Sequence, residues 1–541
     1  MDRLSKAGDG RPETVTPIET ATPGSSQAEQ FSKWWPILGL RSSILVTGLV
    51  LAMVLSLPGD TVTTKYVNDL FIFLDGAHRI WSGQVPNVDF HSSLGPLAFY
   101  IPAAGYGISG TLGGAMPAGM ALVVLLLAII ASEVIGSRMR MLIGLPLAVF
   151  LLLIAAVPVN PGEWVGELSF AMFYNRIGWA GLGLLLVMYL PRRPDQPRRQ
   201  IIDAVCAAVL SLLMLYTKIT YGLMALAFLS FLLLDRRQLL WSAMALGLVI
   251  LAVMFIELLW KGSLSHLEDL RLASSVSGEL PTMRVMADVI LKNLADIMVF
   301  AIFAGILLLL EGRLRNILFV GFCVASGLLI IEQNFQIAGI LTFGAGASVI
   351  AELLLRSQAL PRQRPWPLGL PLLLGALILP PTASNAISLA MHSMNAVTDR
   401  GERIALPAFH GIRLVSMWSQ GQYDFFRRYN ETIADGAAAL QTLDTPVARV
   451  VVLDFVNPFS AGLSLDPPTG DSPWYHWGRT LDRNHFPDPN EIFADAQIIL
   501  EPKSPIEIYT ARGMREVYGD YIRRHYLQIM QTDYWTIYRR R

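Results

Sequence analysis

Hydrophobic positions along this chain gather into runs of about 20 residues separated by short polar stretches, the pattern of helices that cross a bilayer. Candidate spans fall at 36–57, 117–136, 141–158, 175–191, 201–217, 219–234, 239–260, 290–310, 316–332, 337–355 and 368–384, eleven in all. The apolar segment PLAFYIPAAGYGISG, 96–110, is short and broken by Pro102 and three glycines. Read as a helix lying at the membrane interface, it leaves the clusters SRMR (137–140), RRPDQPRR (192–199), DRR (235–237), EGRLR (311–315) and RSQALPRQR (356–364) on one face. Read as a span, it sends those clusters to the side opposite the N-terminal tail with Lys33. The positive-inside rule and the shared face of the long loops favour the first arrangement, with the basic clusters and the N-terminus cytoplasmic.

That topology puts 58–116, 159–174, 261–289 and the tail from about 385 to 541 outside. Residues 1–33 lack apolar periodicity and are expected to form a disordered cytoplasmic tail. The first run ends at Pro58-Gly59-Asp60 with no small-residue cleavage pattern, so it is expected to be a retained span. Beyond 385, VARVVVLDF (447–455) and AQIILEPK (496–503) are β-branched runs of strand length. YTARGMREVYGDYIRRHY (509–526) has helical periodicity, and LQIMQTDYWTIYRR (527–540) reads as a closing hairpin. The predicted fold is a polytopic α-helical membrane protein of about eleven spans (34–384), with interfacial helices in its first outer loop and a small extracytoplasmic α/β domain (385–541).

Composition agrees: 53% of the 541 residues are hydrophobic and 16% charged, with a mean hydropathy of +0.47. The 42 basic and 42 acidic residues cancel, which gives no ground for a nucleic-acid partner. Cys206 and Cys323 lie in separate apolar runs and read as core residues. No Walker loop, HExxH, GxSxG or CxxC is present, so ATP hydrolysis, zinc proteolysis and serine hydrolysis lack sequence support. GYGISG (105–110) satisfies GxGxxG but has neither the preceding strand nor the βαβ unit a dinucleotide site needs. The sequon at Asn430 is given no weight.

The polar chemistry concentrates in NDLFIFLDGAHRIWSGQVPNVDFHSSLGP, 68–96. On a helical wheel of 69–82, Leu70, Phe73, Leu74, Ala77 and Trp81 share one face, and Asp75, His78, Arg79 and Ser82 the opposite, wet one. Asp69 stands apart at the helix start, turned inward. It reads as an N-cap or, at the mouth of a membrane cavity, as a general base. Asp75 is expected to pair with Arg79 at i,i+4, and Asp89 to cap the following turn.

Asp69, then AHRIWSG with Gly83 fourteen residues on, then VPNVDF and GPL, resembles the first outer loop of the C-type glycosyltransferase superfamily. That superfamily (GT-C) includes protein O-mannosyltransferases, aminoarabinose transferases and related bacterial envelope enzymes. This chain has Asn87 where the family often has Tyr, and Gly95-Pro96 where it often has Pro-Pro. The resemblance is specific over 69–97. Elsewhere it is architectural: the span count, the outer C-terminal domain and YTKITYG (216–222) at a span junction. It implies transfer of a sugar from a polyprenyl-phosphate donor to an acceptor at the outer face of a bacterial plasma membrane, with Asp69 resembling the catalytic base.

A leaving phosphate would need cations. Lys218 interrupts an apolar stretch at an outer junction, as a phosphate ligand or as a snorkelling anchor. Arg176 opens a span from the outer side beside Tyr174 and Asn175, and its fork suits phosphate. His78 and Arg79 are weaker candidates. Glu163 and Glu167 read as a second carboxylate for the acceptor or a divalent ion, or as a solvated loop, and Glu332 as a cavity residue or a polar stop. No cluster has metal-ligand spacing; a divalent cation stays an open option. The aromatic run SPWYHWGR (472–479) reads as an acceptor-binding surface or as core packing of the outer domain. Two rival functions remain: a transporter or flippase of lipid-linked glycans, expected to place charges along a path through the spans, and a scaffold that keeps the fold without activity.

Overall fold

A computed structural model describes residues 25–192, 199–277, 283–334, 336, 338–357, 366–444 and 447–541. The basic runs at 193–198 and 358–364 lie outside the described residues. Every one of the eleven apolar runs is helical: α1 (Ser25–Ser56), α4 (Leu112–Val134), α5 (Met141–Ala156), α6 (Phe173–Val187), α7 (Gln200–Thr217), α8 (Ile219–Leu232), α9 (Leu239–Trp260), α12 (Leu294–Leu310), α13 (Leu314–Gln333), α14 (Leu341–Arg356) and α15 (Trp366–Val397). The outer segments add α2 (Val67–Trp81), α3 (Leu97–Ser109), α10 (Ser263–Ser277) and α11 (Met283–Lys292).

Of the eleven expected spans, six helices among the described residues, or seven with the bent pair α11 and α12, are long and apolar enough to cross a membrane by length and composition. A crossing needs about 20 residues at 1.5 Å each, whereas α5, α6, α8 and α14 have 16, 15, 14 and 16. α6 lies inside the bundle, with every residue buried. The interruption at 96–110 is the helix α3, too short to span, which packs on α2 and α4.

α15 runs past 384 to Val397 before the outer domain begins. There, β2 (Glu402–Arg403) and β3 (Ile412–Leu414) form a three-stranded sheet with β1 (Thr61–Thr63) of the first outer loop, β1 pairing parallel to β3. The remainder is α16 (Gln420–Gln441), β4 (Val450–Val452), the single turns α17 (Phe459–Gly462) and α18 (Pro489–Ile492), β5 (Ile498–Pro502), α19 (Ile508–His525), β6 (Tyr526–Gln531) and β7 (Trp535–Arg540). The second sheet has the order β4-β5-β7-β6, with β4 parallel to β5 and the β6–β7 hairpin antiparallel. Both β-branched runs, the helix and the hairpin expected from sequence are therefore present. Asn430, within the sequon, is buried in α16 and donates to Glu402 Oε1 at 2.9 Å.

The outer domain sits on α2, and this overturns the wet-face reading. Asp75 and Arg79 are both 0% exposed. Arg79 Nε donates to Asp75 Oδ2 at 2.7 Å, the expected i,i+4 pair, and Nη2 to Asp471 Oδ2 at 3.0 Å. Nη1 donates to Pro468 O, and His78 Nε2 lies 2.7 Å from Leu465 O. A polar helix face looks alike in sequence whether it meets water or polar groups of another segment. Phe71 of the same helix stacks on Phe409 at 4.9 Å. Breaking one partner of a buried ion pair costs about 3–5 kcal/mol. Asp471→Ala is therefore expected to lower the thermal unfolding midpoint of the purified protein and expose the outer domain to protease.

Candidate functional site

The first outer loop leaves α1, passes through β1 and reaches α2 by way of Tyr66, whose φ of 54° is in the left-handed region. That turn is tied from outside. Lys65 Nζ bridges Glu163 Oε1 at 2.8 Å and Glu167 Oε2 at 3.0 Å, and Thr64 N donates to Leu168 O. Glu163 and Glu167, partly exposed and absent from the walls of the two compartments described below, clamp the second outer loop to the first.

Asp69 is the third residue of α2. The N-cap is Tyr66, so the capping role is excluded. Its Oδ1 accepts from Asn68 Nδ2 at 3.1 Å, and the carboxylate lines a cavity of about 360 Å³. The walls come from α2, from Met172 and Tyr174 at the start of α6, from Asn334 after α13, and from Phe455, Trp474, His476, Arg479 and Glu507 of the outer domain. Burial pushes the Asp69 carboxyl up to about 7, with Arg479 opposing the shift and Glu163 adding to it.

A second compartment of about 220 Å³ adjoins the first and shares Leu94, Tyr174, Asn334, Trp474 and Arg479 with it. Lys218, between α7 and α8, lines it. Its Nζ donates to Asn334 Oδ1, Asn334 Nδ2 donates to Tyr221 Oη at 3.2 Å, and the amine lies 5.2 Å from the Tyr174 ring centroid. Lys218 therefore points into the protein, not to the headgroups.

Arg176 is placed elsewhere. It is 0% exposed, its Nη1 donates to Val159 O and Ser169 O at 3.1 Å each, and it does not line either compartment. It pins the second outer loop from beneath. Glu332 also misses the cavity; Gln333 and Asn334 line it instead, because a helix end turns successive side chains in different directions.

Arg479 lay inside the aromatic run read from sequence but had no role assigned. Asn334 and Glu507 had no signal at all, since each joins the cavity only through tertiary packing. Within SPWYHWGR the residues divide. Trp474, His476 and Arg479 line the cavity. Tyr475 is buried with its hydroxyl on Asp471 Oδ1 at 2.7 Å, and Trp477 packs over Gly513.

The loop after α2 is held in place for the same chamber. Asp89 Oδ2 accepts from Val85 N at 2.7 Å, closing the turn before it and not capping one after it. Asn87 has a φ of 59°, tolerable for Asn, and donates to Ser92 O and Asp269 Oδ2. Asp269 also meets His91 Nδ1 at 3.0 Å, a hydrogen bond that raises the His91 pKa. At Gly95 a Cβ would fall 2.1 Å from Tyr216 O, so only glycine lets this loop reach the end of α7 beside Lys218. No group of three or more His, Cys, Asp or Glu among the described residues is arranged to hold a metal ion.

The chain is similar to ArnT from Cupriavidus metallidurans, whose crystal structure in the apo state aligns over 92% of this chain and 97% of that one, at 13% identity and a TM-score of 0.45. A likeness at that level sets no residue-to-residue correspondence. No family model and no curated protein matches.

Proposed function

We propose that the chain is a membrane glycosyltransferase of the GT-C type, moving a sugar from a polyprenyl-phosphate donor to an acceptor of the cell envelope at the extracytoplasmic face of the plasma membrane. One observation carries this reading: Asp69 lines a cavity with Arg479, and Lys218 lines the compartment that adjoins it, where the ends of apolar helices meet the C-terminal domain. The sequence resemblance at 69–97 supports it independently.

Asp69 takes the proton of the acceptor hydroxyl as that oxygen attacks the anomeric carbon. The bond from that carbon to the phosphate oxygen breaks, and its electron pair leaves with the polyprenyl phosphate. Arg479 and Lys218 balance the charge that collects on the leaving group, stabilising the transition state more than the bound donor.

A base acts only when ionised, and the Asp69 carboxyl is raised to about 7. The turnover rate is therefore expected to climb with pH toward 7, falling about tenfold per pH unit below it, and to decline above it as Lys218, whose amine burial lowers to about 7, loses its charge. An ascending limb near pH 4 in kcat/KM would remove Asp69 as the titrating base.

The activity itself is tested by reconstituting the protein in liposomes with polyprenyl phosphates bearing different sugars and an envelope extract as acceptor source. Release of free polyprenyl phosphate together with sugar incorporation supports transfer. Movement of intact sugar-lipid across the bilayer without release would instead make the protein a transporter.

A further inference from the structure

We infer that the chamber wall built by Phe455, Trp474, His476 and Glu507 binds the glycosyl group of the donor, so that the outer domain selects the sugar. This rests on the transferase reading and deepens it.

Three rings on that wall lock one another edge to face. Phe455 and Trp474 lie 6.3 Å apart at 65°, Phe455 and His476 5.4 Å at 65°, and Trp474 and His476 6.1 Å at 70°. Rigid aromatic surface with a few fixed polar groups is the usual lining of a small-ligand site. Here it suits a sugar ring, whose C–H face packs on aromatic carbon while its hydroxyl edge seeks hydrogen bonds.

Trp474 and His476 both line the chamber, their rings forming its aromatic face. The polar groups are in place. Glu507 Oε1 and Oε2 accept from Tyr509 N and Thr510 N at the start of α19, which fixes the carboxylate at the chamber as an acceptor for hydroxyls. The buried Asp454 joins the two halves of the wall, accepting from Phe455 N at 2.8 Å, Ile506 N at 2.8 Å and Glu507 N at 3.2 Å.

Donor, and not acceptor, follows from the chain path. Arg479 N donates to His476 O at 3.0 Å, so a single turn carries both residues, and both line the same cavity. A phosphate held at Arg479 sets the anomeric carbon bonded to it next to His476 and Trp474, which is where the attached ring must lie. This reassigns the aromatic run from acceptor binding to the donor.

The test uses the full chain in nanodiscs, titrated with bare undecaprenyl phosphate and with undecaprenyl phosphate carrying a hexose or a pentose. The wild type is expected to bind one sugar-bearing lipid about tenfold more tightly than the bare one. Trp474→Leu and His476→Ala are expected to lose that increment while holding the bare lipid within about twofold, and Trp474→Phe to keep most of it. An unchanged thermal unfolding midpoint shows that the variants are folded; if Trp474→Leu is not, His476→Ala and Glu507→Gln carry the comparison. An increment that survives in the folded variants overturns the assignment alone. Failure of the wild type to bind bare undecaprenyl phosphate overturns the donor reading, and this assignment with it.

Discussion

Asp69→Asn is expected to cut sugar transfer by about 10²–10⁴-fold, the range that a positioned general base contributes, while the protein folds normally. The amide keeps an oxygen for Asn68 Nδ2, so the local hydrogen bond survives. Stability should not fall either. The Asp69 carboxyl is raised to about 7 in the fold against a usual value of 3.8. A raised carboxyl favours the protonated form in the folded state, so ionisation weakens the fold progressively as pH climbs from about 4 to 7. Asparagine removes that penalty, and the unfolding midpoint of the variant at pH 8 should match or exceed the wild type. Full turnover in Asp69→Asn would end the base assignment; loss of turnover with a lowered midpoint would mark a structural role instead.

Arg479→Gln is expected to weaken binding of polyprenyl phosphate by about 10- to 100-fold, since hydrogen bonds to charged groups contribute about 1.5–3 kcal/mol. The fall in kcat should accompany the rise in KM, because the leaving phosphate carries more charge in the transition state than in the bound donor. Arg479→Lys should recover part of the binding but not the forked geometry. Lys218→Met should act in the same direction. Its amine is anchored on Asn334 Oδ1, so Asn334→Ala is expected to give a milder version of the same defect by releasing the lysine. A titration of bare lipid phosphate separates these effects from any on the sugar. Unchanged affinity in both cation variants would place the phosphate elsewhere.

Much of this arrangement was legible in the residues. Runs of apolar side chains fix where helices form, because a buried backbone in lipid has no other way to satisfy its hydrogen bonds. All eleven runs are helices for that reason, and the period-two and period-3.6 patterns beyond 447 marked the strands and the helix of the outer domain. Asp69 stood out because its position on the wheel separated it from the polar face. Lys218 stood out because a lysine amid apolar residues needs a polar environment.

What the pattern could not supply was who faces whom. Among the described residues, helix length marks out six or seven as long enough to cross a membrane, a distinction that apolarity alone does not make. The strands β1, β2 and β3 are two or three residues long, and β1 exists only through pairing with β3 across more than three hundred positions. Arg79 and Asp75 changed from a wet pair to a buried joint once Asp471 arrived. Arg176 and Lys218 were both phosphate candidates in the sequence, yet the fold turned one onto backbone carbonyls and the other into the chamber. The sequence by itself determined the helices, the strands and helix of the C-terminal domain and the separation of Asp69 from the polar face of α2, because these follow from local side-chain chemistry. Only the tertiary structure decided which cations face that carboxylate and which aromatic wall encloses it, because those groups come from segments hundreds of residues apart.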